Sequence, residues 1–153
     1  MINRRRRTRV LAEGRPQLAS ELAALIESRV EVIEVTAPHQ GLVMCQVRET
    51  ARNSRFYLGE ALMTECRVRI GDTEGLGAVL GMDDERARAM AVVDAALSQP
   101  VPLDVAPEVE RRLLEAESEL DRKQERLNRQ VMASKVSFDT MGGQDMSVQA
   151  VVK

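Results

Sequence analysis

At 153 residues, 44% hydrophobic and 30% charged, the chain has the length of one domain and can bury roughly 70% of its unfolded surface around a single core. Its net charge of -2 argues against a nucleic-acid binder driven by overall electrostatics. No apolar stretch follows the basic start and no window holds 18 consecutive apolar residues, which argues against a signal peptide or membrane span and points to the cytoplasm.

Aromatic residues make up only 2% of the chain, so the core must be built from Leu, Val, Ile, Ala and eight Met, a composition that often leans on a partner for further burial. Residues 3–13 are good helix formers, and Gly14 followed by Pro16 marks the end of one helix and the start of another over 16–28. Leu18, Leu22, Leu25 and Ile26 place one apolar stripe on that second helix. Arg4 to Arg7 have no interleaved aromatic rings, so a solvated or partner-facing surface is a better reading than a nucleic-acid arm.

Residues 30–36 alternate Val and Ile with Glu and read as a strand. Pro38-His39-Gln40-Gly41 is turn chemistry leading into a second strand over 42–48, so the pair forms a hairpin with His39 as a turn residue. Residues 49–55 are polar and unpatterned; with Arg48 they form a loop region carrying Arg48, Arg52 and Arg55, for which solvation is the plain reading and an anion or partner contact the rival. Cys45 and Cys66 lie in strand-like runs without a CxxC or a Cys/His cluster, the pattern of two reduced core thiols.

Within the third strand, 57–70, Leu62, Thr64, Cys66, Val68 and Ile70 share the core face, while Met63, Glu65, Arg67 and Arg69 share the other. A turn from Gly71 to Gly75 leads to a fourth strand over 76–80, in which Gly77 suggests a bulge or the close approach of another backbone. The glycines Gly75, Gly77 and Gly81 superficially suggest a phosphate cradle, but no Lys-Ser/Thr follows and Asp83 and Asp84 place carboxylates where the anion would sit. A helix over 84–98 is apolar nearly all round and must be covered on more than one side; Asp94 within it must be hydrogen-bonded, paired or at an edge.

Three prolines make 99–107 an extended linker, after which 108–141 reads as a helical arm with Leu113, Leu120 and Leu127 seven apart, and 142–153 as a loose tail. The expected fold is α+β: a core domain over 1–98 whose four-stranded antiparallel meander is packed by helices, followed by a long C-terminal helix.

The ordered set Arg55-Phe56-x-Leu58-Gly59-Glu60, Thr64, Val68-Arg69, Gly71, Gly75-x-Gly77, Val79-Leu80-Gly81-x-Asp83, Val93-Asp94-Ala95-x-Leu97 and the C-terminal stretch holding Phe138 and Met141 resembles the PhnG subunit of the bacterial carbon-phosphorus lyase core complex. The likeness runs from residue 9 to 141. The chain departs from the family pattern at Gly75-Leu-Gly-Ala-Val79, Met82, Phe138-Asp139 and Thr8, where aromatic or basic residues are otherwise found. The resemblance implies a required, non-catalytic subunit of the assembly that replaces the adenine of MgATP with an alkylphosphonate. Catalysis would then belong to sister subunits, and this chain would bind no cofactor by itself; self-association is left open. Two alternatives stand beside it: Arg67, Arg69 or Asp94 completing a composite site at a subunit boundary, and a small regulator that binds nucleic acid.

Overall fold

The computed structural model describes residues 2–134. Helix α1 (Arg4–Glu13) is entered through Asn3, whose side-chain oxygen accepts the Arg6 N–H at 2.9 Å. Its last turn is held from another element: the Arg86 guanidinium donates to the carbonyls of Leu11 and Ala12 at 2.8 Å each, satisfying groups that a helix end leaves open. Helix α2 (Pro16–Glu27) begins on Pro16, where a missing N–H costs nothing. Strands β1 (Ile33–Arg48), β2 (Arg55–Ile70) and β3 (Thr73–Leu80) follow, then α3 (Asp84–Leu97) and α4 (Ala106–Ala133).

The sheet has three strands in the order β1-β2-β3, all antiparallel, where four were expected. The predicted strands at 30–36 and 42–48 are one continuous strand, because the Pro38 to Gly41 segment does not turn. Thr36 lies opposite Arg67 and His39 opposite Glu65, so the extra residue on β1 is absorbed as a bulge. Proline has no N–H to give a ladder, and a bulge on an edge strand is where a sheet tolerates it. β1 is an edge strand. The hairpin reverses instead at 49–54, where the Glu49 N–H donates to the Ser54 carbonyl at 3.0 Å and Asn53 adopts a left-handed φ of 58°. His39 is therefore an exposed strand residue, and Cys45 is only partly buried on β1 while Cys66 lies in the core.

From Thr64 onward β2 follows the expected alternation: Thr64, Cys66, Val68 and Ile70 are buried, and Arg67 and Arg69 are exposed. Leu62, expected on the same inner face, is 39% exposed. Helix α3 lies on the inner face of β2 and β3, with α2 and α1 packed against it from the other side. That double cover explains why every residue from Ala89 to Leu97 is buried, as its all-round apolar character requires.

The contact between α3 and β3 is backbone against backbone. A methyl group at Gly77 would press into the Ala87 carbonyl oxygen and stand 2.6 Å from the Ala91 nitrogen, and one at Gly75 would meet the Ala95 methyl at 2.7 Å. Glycine on the strand and alanine at every fourth position of the helix let the two elements touch. This is the close approach expected at Gly77; among these glycines, only Gly81 needs conformational freedom, at a φ of 84°.

Val105, Ala106, Val109 and Leu113 join the same core, so the proline segment and the start of α4 belong to the body of the protein. The chain divides into two compact units, one closing at Leu120 and the other opening at Asp121. In the second unit, the described residues 121–134 are all exposed, Leu127 included. No helix among the described residues is long and apolar enough to cross a membrane.

Candidate functional site

β3 pairs with β2 from Met63 to Ile70, and the Gly81 N–H just beyond it donates to the Leu62 carbonyl at 2.9 Å, so residues 55–61 of β2 have β1 alone beside them among the described residues. These residues and the end of β1 form a two-stranded ribbon beyond the three-stranded part of the sheet. Leu42 lies opposite Leu62 and Val43 opposite Ala61, and successive strand residues point to opposite faces, so the ribbon is apolar on both sides. Leu42, Val43 and Met44 are exposed, as are Phe56, Tyr57 at 60% and Leu58 at 69%. A register shift beside Gly59, whose φ is 156°, bends the strand in the middle of this patch. Exposed apolar surface of this kind is a feature of protein, membrane and ligand contacts, and aromatic residues are enriched where proteins meet.

The outer face of the sheet continues the same surface. Ile33, Leu76 and Leu80 are exposed there, together with a Glu65–Arg67 ion pair at 3.2 Å. Arg69 is exposed on this face and makes no ion pair among the described residues.

Asp94 lies on the other side of the sheet. It is 5% exposed, and its carboxylate accepts from Arg4 Nε at 2.9 Å, from Arg7 Nε at 3.2 Å and from the Leu76 backbone N–H at 3.0 Å. Arg7, itself 5% exposed, also donates to Ser98 Oγ at 2.7 Å. Burial pushes the Asp94 carboxyl upward, but the hydrogen bonds from Arg4, Arg7 and Leu76 outweigh it and hold the group below the usual aspartate range. The same partner raises the Arg4 guanidinium. Asp94 thus ties α1 and α3 to the edge of β3, and among its polar contacts all are internal to the fold.

The three composite-site candidates are not brought together: Arg67 and Arg69 stand on the outer face, and Asp94 is beneath the inner one. Of the arginine run at the chain start, expected to be a solvated or partner-facing surface, Arg4, Arg5 and Arg6 are exposed and Arg7 is buried. Arg4 and Arg7 are engaged by Asp94, and Arg6 pairs with Glu117, whose carboxyl is drawn below its usual range by that guanidinium. Sequence reasoning missed this role of Arg7, although the spacing of Arg7, Val10 and Leu11 on one helical stripe carried the signal.

The residues of the ordered signature fall into two groups. Phe56, Leu58, Gly59 and Glu60 lie on the ribbon. Thr64, Gly71, Gly75, Gly77, Gly81, Asp83 and Asp94 shape the core: the Thr64 hydroxyl donates to the Gly81 carbonyl at 2.7 Å and accepts the Asp83 N–H at 3.2 Å, fixing the step from β3 into α3. Asp83 then caps that helix through the Arg86 N–H at 3.0 Å. Phe138 and Met141 lie outside the described residues.

A shallow cleft of about 400 Å³ between α2 and α4 is lined by Arg15, Glu21, Arg111, Arg112, Glu115 and Glu119. Its arginines are paired with Glu21, Glu108 and Glu115, and two of them drive the Glu108 carboxyl down to about 2, so the cleft holds no spare positive charge for an anion. Among the described residues no group of three or more His, Cys, Asp or Glu is placed to hold a metal ion.

Comparison with known proteins places these features in a family. The model of the family described as phosphonate metabolism protein PhnG matches residues 2–143. A protein of Rhizobium meliloti (strain 1021), named alpha-D-ribose 1-methylphosphonate 5-triphosphate synthase subunit PhnG, is 32% identical over 142 residues, covering 92% of this chain and 89% of that protein.

Proposed function

The chain belongs to the PhnG family of phosphonate metabolism proteins, and on that footing we propose that it is a required, non-catalytic subunit of a complex that replaces the adenine of MgATP with an alkylphosphonate. In this reading MgATP is the co-substrate of the assembly, the chain alone holds no cofactor, and the complex works in the cytoplasm. The observation that carries the reading is the ribbon: a two-sided apolar surface that the fold itself leaves uncovered, on a chain alignable over most of its length with a synthase subunit.

Interfaces draw most of their energy from a few buried aromatic and large apolar side chains. Replacing Leu42, Tyr57 and Leu58 with Ser is therefore expected to leave the fold of the chain unchanged by circular dichroism and to abolish its co-purification with the sister subunits of the complex. In the same preparation the wild-type chain should restore synthase activity with ATP and methylphosphonate. If the sister subunits work at full rate without this chain, the reading is wrong.

A second reading has this subunit adding side chains to a composite site. Arg69 favours it, being exposed on the open face without an ion pair among the described residues. Substituting Arg67 and Arg69 with Ala would separate the two readings if assembly survived and the transferase step did not.

A further inference from the structure

The ribbon ends in a cluster of positive charge that no ion pair among the described residues compensates. Arg48 and Arg55 are direct cross-strand partners at its last rung, and Arg52 lies in the loop between them. All three are exposed, and none makes an ion pair among the described residues. The acid within residues 45–59 is Glu49, whose Oε1 is occupied by the loop itself, accepting the Arg52 N–H at 3.0 Å and the Ser54 hydroxyl at 2.9 Å. Between residues 45 and 59 there are three Arg and one Glu, a local charge of +2 on a chain whose net charge is -2.

In the body of the protein Arg4, Arg6, Arg7, Arg15, Arg88, Arg111 and Arg112 are in salt bridges. At the ribbon tip Arg48 faces Arg55 instead of an acid, which is unfavourable for the isolated fold, because like charges directly opposite on neighbouring strands repel. The loop is nevertheless well defined. Arg48 Nη1 donates to Asn53 Oδ1 at 3.0 Å, and the Glu49 contacts brace the turn, so the three guanidinium groups are carried on a braced hairpin end.

We propose that Arg48, Arg52 and Arg55 bind phosphoryl oxyanions of the synthase substrates, the triphosphate of MgATP foremost, at the boundary with a sister subunit. This inference rests on the subunit reading above. The apolar flanks of the ribbon supply adhesion to that subunit, and the tip extends past them to the ligand. Arginine suits the task, since its planar fork engages two oxyanion oxygens at once and keeps its charge at every working pH. Of the reacting groups the triphosphate carries the highest charge and gains most from three closely spaced cations. The geometry of the tip assigns these side chains to substrate binding and leaves bond making and breaking to the sister subunits.

The test uses the assembled complex carrying the double variant Arg52→Gln/Arg55→Gln, with Arg52→Lys/Arg55→Lys beside it. Assembly is followed by size-exclusion chromatography, and KM is measured separately for MgATP and for methylphosphonate. The expected result is an intact complex whose KM for MgATP rises about tenfold or more in the Gln variant and is partly restored in the Lys variant. A rise confined to methylphosphonate would move the same oxyanion contact to the phosphonate end of the reaction. Unchanged kinetics in an intact complex would overturn the proposal, and so would loss of assembly, which would mean that the tip docks on an acidic protein surface. Failure of the subunit reading looks different: the wild-type chain would then be dispensable for activity, whatever the tip variants do.

Discussion

Arg7 and Asp94, 87 positions apart in sequence, form an ion pair buried between α1 and α3. Burying two charges is costly, and the pair survives because the remaining capacity of both groups is used: Asp94 also takes the Leu76 N–H and Arg4, and Arg7 also reaches Ser98. Removing Asp94 would leave Arg7 as an unpartnered charge in the interior. Asp94→Ala is accordingly expected to lower the unfolding free energy by about 3 to 5 kcal/mol. Arg4→Ala, which removes a side chain that is 62% exposed, should cost under about 1 kcal/mol. Urea denaturation of the two variants measures both.

The same pair sets a direction for acid sensitivity. The folded-state carboxyl of Asp94 sits below its unfolded value, so the folded chain resists protonation and the unfolded chain does not. Its contribution to stability is fully present above the ordinary aspartate value of about 3.9 and is lost as the pH falls through the lower folded value. Glu117 acts in the same direction through Arg6. The melting temperature should therefore fall steeply below about pH 4, and an Asp94→Asn variant should show a shallower fall over that interval.

Gly77 and Gly41 make opposite predictions from the same substitution. Ala at Gly77 collides with the backbone of α3, and separating helix from strand to admit it should cost about 2 to 3 kcal/mol. Ala at Gly41 meets nothing within 4 Å and should change stability by less than about 0.5 kcal/mol. Thermal unfolding of the pair distinguishes a packing requirement from a general intolerance of side chains in strands.

Thr64→Val tests the step from β3 to α3. Valine fills the same volume but can neither donate to the Gly81 carbonyl nor accept the Asp83 N–H, leaving two partly buried groups without that partner. A loss of about 1 to 3 kcal/mol is expected, together with faster hydrogen exchange at the Asp83 amide.

Much of the fold was legible where a segment obeyed one period. The Leu18 to Ile26 stripe, the alternation from Thr64 to Ile70 and the all-round apolar helix each appear in the structure where periodicity placed them. Pro38 and Gly41 misled because the residues that make a turn also make an edge-strand bulge, and only pairing with β2 decides between them. The role of Arg7 was hidden for a different reason. A run of arginines looks solvated until the partner that buries one of them is known, and here that partner is far along the chain. The ribbon was harder still: its residues read as strand, but their exposure depends on where β3 stops, which no local pattern encodes.

The anchoring of α1 also bears on the order in which the protein can form. Arg4 and Arg7 wait for Asp94, the Ile2 amide for Glu110, and Arg6 for Glu117. As the nascent chain leaves the ribosome, α1 emerges before any of these partners is translated. The hairpin, whose pairing is local, can close before α1 is anchored; α1 is locked in place only when the first turns of α4 have appeared.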